Sequence, residues 1–288
     1  LSGATGDYNA ALGNSAGAKA KGSAGAVMVG YQAGFHPTGN YNTWMGYKAG
    51  YGVLDSGAYQ NVGIGQEALA DITSGYYNVA VGVYAGTNMT TGHNNIAIGP
   101  RALNDATTAT NNVAVGSYAA TGMTDGQYNV AVGQYALQEN TQGDDNVAVG
   151  YYALYNLNPT ADEGDSVGVG SNAGFSTTTG VRNVFIGRRA GYNNTTASNH
   201  VVIGREAGYS NQTGANSVVI GMRAGYYGTG DGNHLIGYLS GFGNATTNNG
   251  TYNTALGYEA LKVYEDADEN VAIGSQALRD NTSGDGNT

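Results

Sequence analysis

Short apolar runs punctuate the whole chain, each closed by a glycine. Sixteen such glycines occur, at Gly13, Gly30, Gly46, Gly65, Gly82, Gly99, Gly116, Gly133, Gly150, Gly170, Gly187, Gly204, Gly221, Gly237, Gly257 and Gly274; ten of the fifteen intervals are 17 residues and the others are 16, 19 or 20. We number each repeat from this glycine. Position −1 is aliphatic or Met in all sixteen repeats, and −3 is mostly Val or Ile, as at Val79, Ile96 and Val147. Position −2 is usually Ala, as at Ala80, Ala97 and Ala148. A period of 2 inside a period of 17 predicts a short strand in every repeat and no helix. Positions −3 and −1 share one face of that strand. The expectation is that this face points into the core, with −2 facing the other way.

After the glycine, Ala stands at +3 in fifteen repeats, and Leu or Gly generally follows at +4. Where +4 is Gly, an aromatic usually comes next: Phe35, Tyr51, Phe175, Tyr192, Tyr209, Tyr226, Phe242. This pattern predicts one apolar slot per coil, filled from either of two adjacent positions so that volume is conserved. A second turn signal, T-x-G, lies half a coil later, as at Thr73–Gly75 and Thr141–Gly143. A strand this short cannot bury an apolar face alone, but stacked copies can. The fold class predicted is therefore all-β: a parallel β-solenoid (β-roll or β-helix) of about 16 coils, oligomeric, with residues 1–288 forming one array that reads as a segment of a longer fibre. The insertions fall in the half-coil loops, at 55–59, 158–162 and 244–250.

Two recurring residues have backbone explanations. The repeat glycines (Gly82, Gly99, Gly116, Gly133, Gly150, Gly187, Gly204, Gly221 and Gly274 are the most regular) suit a corner with positive φ or a close backbone approach. Asn opens the motif at −4 in 12 of 16 repeats, and Asn78, Asn95, Asn112, Asn129 and Asn146 are spaced for a hydrogen-bonded ladder along the stack. Position −2 becomes bulky at Phe185, Val202, Val219 and Leu235. If outward, that stripe is an apolar patch needing a partner; the alternative is a locally wider core.

The motifs Asn216–Gly221, Asn94–Gly99 and Asn270–Gly274 resemble the N-S-V-A-I-G repeats in heads of trimeric autotransporter adhesins, and the longer form from Asn129 to Gly143 is similar to repeats of phage-tail-fibre-like proteins. The resemblance covers nearly the whole chain, although the present repeat is longer. It implies a homotrimer of parallel solenoids, or a filament, that is extracellular, on a cell surface or on a virion, and serves reach and attachment.

Composition narrows the field. Gly is 49 of 288 residues, Pro 3, charged residues 11% and net charge −10. Nucleic acid is disfavoured as a partner, since phosphate binding needs clustered cations. There is no Cys and no run of 18 apolar residues, so neither disulfides nor a membrane-inserted helix are expected. His36, His93, His200 and His234 share no ligand spacing, and Asp144-Asp145, Asp162-Glu163, Glu265-Asp266 and Asp268-Glu269 read as solvated loops. No catalytic motif occurs, and neither a cofactor nor a metal is expected. Arg188, Arg189, Arg205, Glu206 and Arg223 form a local charged stripe able to attract an acidic glycan, and the Tyr rows offer stacking for sugars. Sequons at Asn88, Asn193, Asn194, Asn211, Asn244, Asn249 and Asn281 are candidate glycosylation sites in half-coil loops. The function expected is a non-catalytic structural shaft of an extracellular or virion fibre. Alternatives are a receptor- or glycan-binding adhesin, an ice-binding solenoid, for which the Thr register looks too irregular, and a glycan hydrolase.

Overall fold

A computed structural model describes residues 6–36, 39–53, 57–160, 163–244 and 248–288. The segments 54–56, 161–162 and 245–247 lie outside the described residues and overlap the three predicted insertions. The chain is an all-β parallel solenoid, with sixteen three-residue strands occupying positions −3 to −1 of the sixteen repeats. It divides into two compact units, residues 1–144 and 145–288. The first contains β1 (Ala10–Leu12) to β8 (Val130–Val132), and the second β9 (Val147–Val149) to β16 (Val271–Ile273). Within each unit every strand pairs in parallel with the next in sequence.

Register is set by the repeat. Val79 pairs with Ile96 and Ile96 with Val113, so equivalent residues form columns as the 17-residue period requires. The direction of those columns is the reverse of the sequence expectation. The central strand residue is buried in nearly every repeat, while −3 and −1 are half-buried or exposed. Ala80, Ala97 and Ala114 line the interior at no more than 1% exposure, whereas Ile96 and Ile98 are 38% and 39% exposed. The reason is the width of the lumen: a coil of 17 residues leaves room for methyl groups and only one or two larger side chains per rung. The large aliphatics of the strand are displaced to the outer face.

The larger interior side chain comes from +4 or from −2, on opposite walls of the coil. Leu69, Leu103, Leu137, Leu154 and Leu261 at +4 are fully buried and share their rungs with Ala or Gly at −2. In six of the nine rungs where +4 is Gly, −2 is bulky: Met28 with Gly34, Trp44 with Gly50, Phe185 with Gly191, Val202 with Gly208, Val219 with Gly225, Leu235 with Gly241; Gly17, Gly86 and Gly174 share their rungs with Ala11, Ala80 and Gly168. A Cβ at Gly50 would stand 2.2 Å from the Trp44 ring, and one at Gly191 2.2 Å from Phe185. Position +7 supplies further fill through buried Ile72, Met89, Met123 and Leu157. This corrects the adjacent-position account. The aromatics at +5 do not fill the slot; they are half-buried on the outside and stack upon one another. Phe185, Val202, Val219 and Leu235 accordingly form a locally wider core and not an outward stripe.

Two columns explain the backbone. Each repeat glycine of the most regular rungs adopts a φ between +123° and +143°, a region closed to side chains. A Cβ at Gly99 would also lie 2.6 Å from the carbonyl oxygen of Gly116, one rung on. The buried Asn at −4 forms the second column. Asn95 Nδ2 donates to Asn78 Oδ1 (3.1 Å) and to Ala109 O (2.7 Å), while its own Oδ1 accepts from the Asn112 backbone N–H (3.0 Å). The backbone groups beside this column are thereby satisfied rung by rung.

Candidate functional site

The outer strand face is the most distinctive surface. Of its 32 positions, only Thr43, His234 and Thr254 are polar, and His234 alone ionises. All others are Val, Ile, Leu, Met or, at one position, Ala. Each unit presents sixteen of these positions. All sixteen are half-buried or exposed, so each unit leaves a largely apolar strip open, the kind of patch that marks an interaction site. The two columns have one rung period and carry no carboxylate or ammonium group. A depression of about 300 Å³ interrupts the face in the second unit, bordered by Val218, His234, Ile236, Thr254 and Leu256.

The Asn ladder continues in the second unit with substitutions that preserve its acceptors. Ser166 N–H donates to Asn146 Oδ1 (3.1 Å), Asn183 N–H to Ser166 Oγ (3.2 Å) and His200 N–H to Asn183 Oδ1 (3.0 Å). Ser217 N–H donates to His200 Nδ1 (3.2 Å), and Asn233 N–H to Ser217 Oγ (3.2 Å). His200 is thus a ladder member whose Nδ1 must be unprotonated. Burial holds its pKa below the ordinary imidazole value, against smaller opposing effects of the Ser217 and Gly214 backbone and Asp231.

The Thr of the half-coil turn signal forms a column at +8. Thr73, Thr90, Thr107, Thr124 and Thr141 recur every 17 residues without drift. Each hydroxyl of the first four donates to the +8 carbonyl of the next rung, at 2.9 to 3.2 Å. The spacing alone discloses this column. It shares with Asn a polar atom able to reach the next rung's backbone.

The candidate glycosylation sites separate into two groups. Asn194 and Asn211 are buried, and their Nδ2 groups donate to Ala197 O and Gly214 O inside the coil. Neither side chain reaches solvent, so these two sequons are corrected to structural turn residues. Asn249 is exposed, while Asn88, Asn193, Asn244 and Asn281 are half-buried.

The Arg stripe and the Tyr row adjoin each other. Phe175, Tyr192, Tyr209, Tyr226 and Phe242 stack with centroids 4.8 to 5.4 Å apart. Their faces are covered by one another, so only ring edges are offered outward. Arg223 pairs with Glu206 (2.8 Å), and this hydrogen bond holds the Glu206 carboxyl below the usual carboxylate range. The acidic loops serve turns: Asp144 accepts from Gln127 N–H, and Asp268 from Thr251 N–H and its hydroxyl. Asp162 lies outside the described residues. Among the described residues no cluster of three or more His, Asp or Glu is arranged to hold a metal ion, and no helix is long and apolar enough to cross a membrane. No family model matches this chain, and no curated protein is detectably similar to it.

Proposed function

We propose that this chain is the non-catalytic shaft of an extracellular or virion fibre, assembled from copies of itself through the outer aliphatic face. The observation that carries this reading is the uncharged pair of aliphatic columns running in register through each unit. A partner must match an apolar period of one rung over the whole length, and a second copy of the same solenoid does so by construction. Three copies around one axis enclose all three faces in a common core, in keeping with the homotrimer implied by the resemblance to trimeric adhesin heads. Residues of the lumen then stabilise each copy, and residues of the outer face join copies.

The ice-binding alternative loses support from the Thr column, whose hydroxyl protons are directed to the next rung's backbone. Sedimentation equilibrium tests the proposal. The wild-type chain is expected at three chain masses, and the double variant I98K/V115K, with two cations in the face, at one. A wild-type chain that remains monomeric at micromolar concentration overturns the reading.

A further inference from the structure

Residues 167–230 contain five Arg and one carboxylate, Glu206. This segment carries +4 in a chain of net charge −10, so the remaining residues carry −14. Four of those Arg lie on one flank across three successive rungs. Arg188 and Arg205 occupy +1 of adjacent rungs and are exposed; Arg189 and Arg223 occupy +2 two rungs apart. Glu206, the one carboxylate among them, is already engaged by Arg223. Among the described residues Arg188, Arg189 and Arg205 make no ion pair.

These guanidiniums are also held in place. Arg189 sits 5.7 Å over the Tyr192 ring and Arg223 5.6 Å over Tyr226, contacts that orient a cation without neutralising it. Arg205 is tethered to the Met222 sulfur one rung on. Beside them the stacked Tyr192, Tyr209 and Tyr226 present a row of phenol edges at rung spacing.

We infer that this flank binds a linear acidic polysaccharide, one bearing carboxylate or sulfate groups along its length and lying parallel to the stack. Arg recognises carboxylate and sulfate through paired N–H donors, and its cation survives at every physiological pH. The phenol edges supply hydroxyl partners for the uncharged sugar groups. A nucleic acid fits less well. Single strands need open aromatic faces for base stacking, and the ladder covers its own faces. The inference gives the attachment reading a ligand class, and it stands apart from the aliphatic face.

The test is calorimetric titration of the full chain with an oligogalacturonate long enough to span four rungs. A neutral glucan of equal length and a single-stranded oligonucleotide serve as comparisons. Expected is binding of the oligogalacturonate at low salt that weakens steeply as salt rises, with no binding of the neutral glucan. R188Q/R205Q is expected to weaken it at least tenfold while circular dichroism, melting temperature and sedimentation mass stay unchanged. No binding at low salt, equal binding by the variant, or tighter binding of the oligonucleotide each overturns the inference. Sedimentation separates this outcome from the shaft reading: a trimer that ignores the oligosaccharide retains the shaft and loses the site, and a monomer that binds it does the reverse.

Discussion

Truncating one rung of the Asn ladder should be far costlier than a surface change. The Asn95 side chain donates to Asn78 Oδ1 and Ala109 O, with the Met89 sulfur 3.8 Å away, and accepts two hydrogen bonds from Asn112, through its backbone N–H and its Nδ2. Asn95→Ala leaves the Asn112 N–H and the Ala109 carbonyl buried without partners. At about 1–3 kcal/mol per orphaned buried group, the loss is about 4 kcal/mol. Asn95→Ser keeps an acceptor for the Asn112 N–H, as Ser166 and Ser217 do in their own rungs, and should cost about half as much. The assay is urea denaturation, with hydrogen exchange resolved by peptide because a solenoid need not unfold as one unit. Lost protection should centre on residues 78–112. An Asn95→Ala cost below about 1 kcal/mol, or identical costs for the Ala and Ser variants, refutes the argument that the ladder satisfies buried backbone groups.

Four more outcomes follow from the same geometry. Gly99→Ala meets both a φ of +127° and the Gly116 carbonyl, so it should cost several times the near-zero cost of Gly57→Ala, where nothing lies within 4 Å; paired melting curves decide. Phe185→Ala should cost about 3–5 kcal/mol, and adding Gly191→Leu should recover much of it, since Leu103 occupies the equivalent position at φ +47°; a double variant no more stable than the single contradicts the shared slot. His200 has a depressed folded pKa, so the unfolded chain binds more protons below about pH 6.5 and acid destabilises the second unit there. His200→Asn should remove that part of the slope between pH 7.5 and 5 while leaving stability at neutral pH unchanged or raised, as read from melting temperature against pH. Expressed in a glycosylating host, the chain should carry no glycan on Asn194 or Asn211, as peptide mass mapping reports.

Much of this fold was legible because some columns permit few chemical alternatives. Only glycine tolerates both the φ and the neighbouring carbonyl at Gly99, and Asn combines an acceptor and a donor at the reach the ladder needs. In-versus-out was not legible from periodicity. Alternation at Val79, Ala80 and Val81 states that two faces differ, and the ordinary preference for burying the larger residue selects the wrong one when the lumen is narrow. The informative signal was the exchange between positions six apart: Ala97 with Leu103, Trp44 with Gly50, Phe185 with Gly191. Twelve of the sixteen rungs carry a large residue at one of these positions and a small one at the other, whereas the +5 aromatics lie outside. Asn194 and Asn211 escaped for a related reason. Their sequons lie in turns, but their side chains point into the coil to cap it, a direction that spacing does not encode.

The central claim is that alanine lines the interior of each solenoid unit and the aliphatic columns face outward. Because the chain has no cysteine, single thiols report on this directly. Ala97→Cys and Ile98→Cys place a thiol at adjacent positions of one strand, and each variant is followed by maleimide labelling and by oxidative cross-linking. The account predicts that the thiol at 98 either labels rapidly or joins two chains by a disulfide, while the thiol at 97 does neither until the protein is unfolded. A reactive thiol at 97 with a silent, uncross-linked thiol at 98 contradicts it.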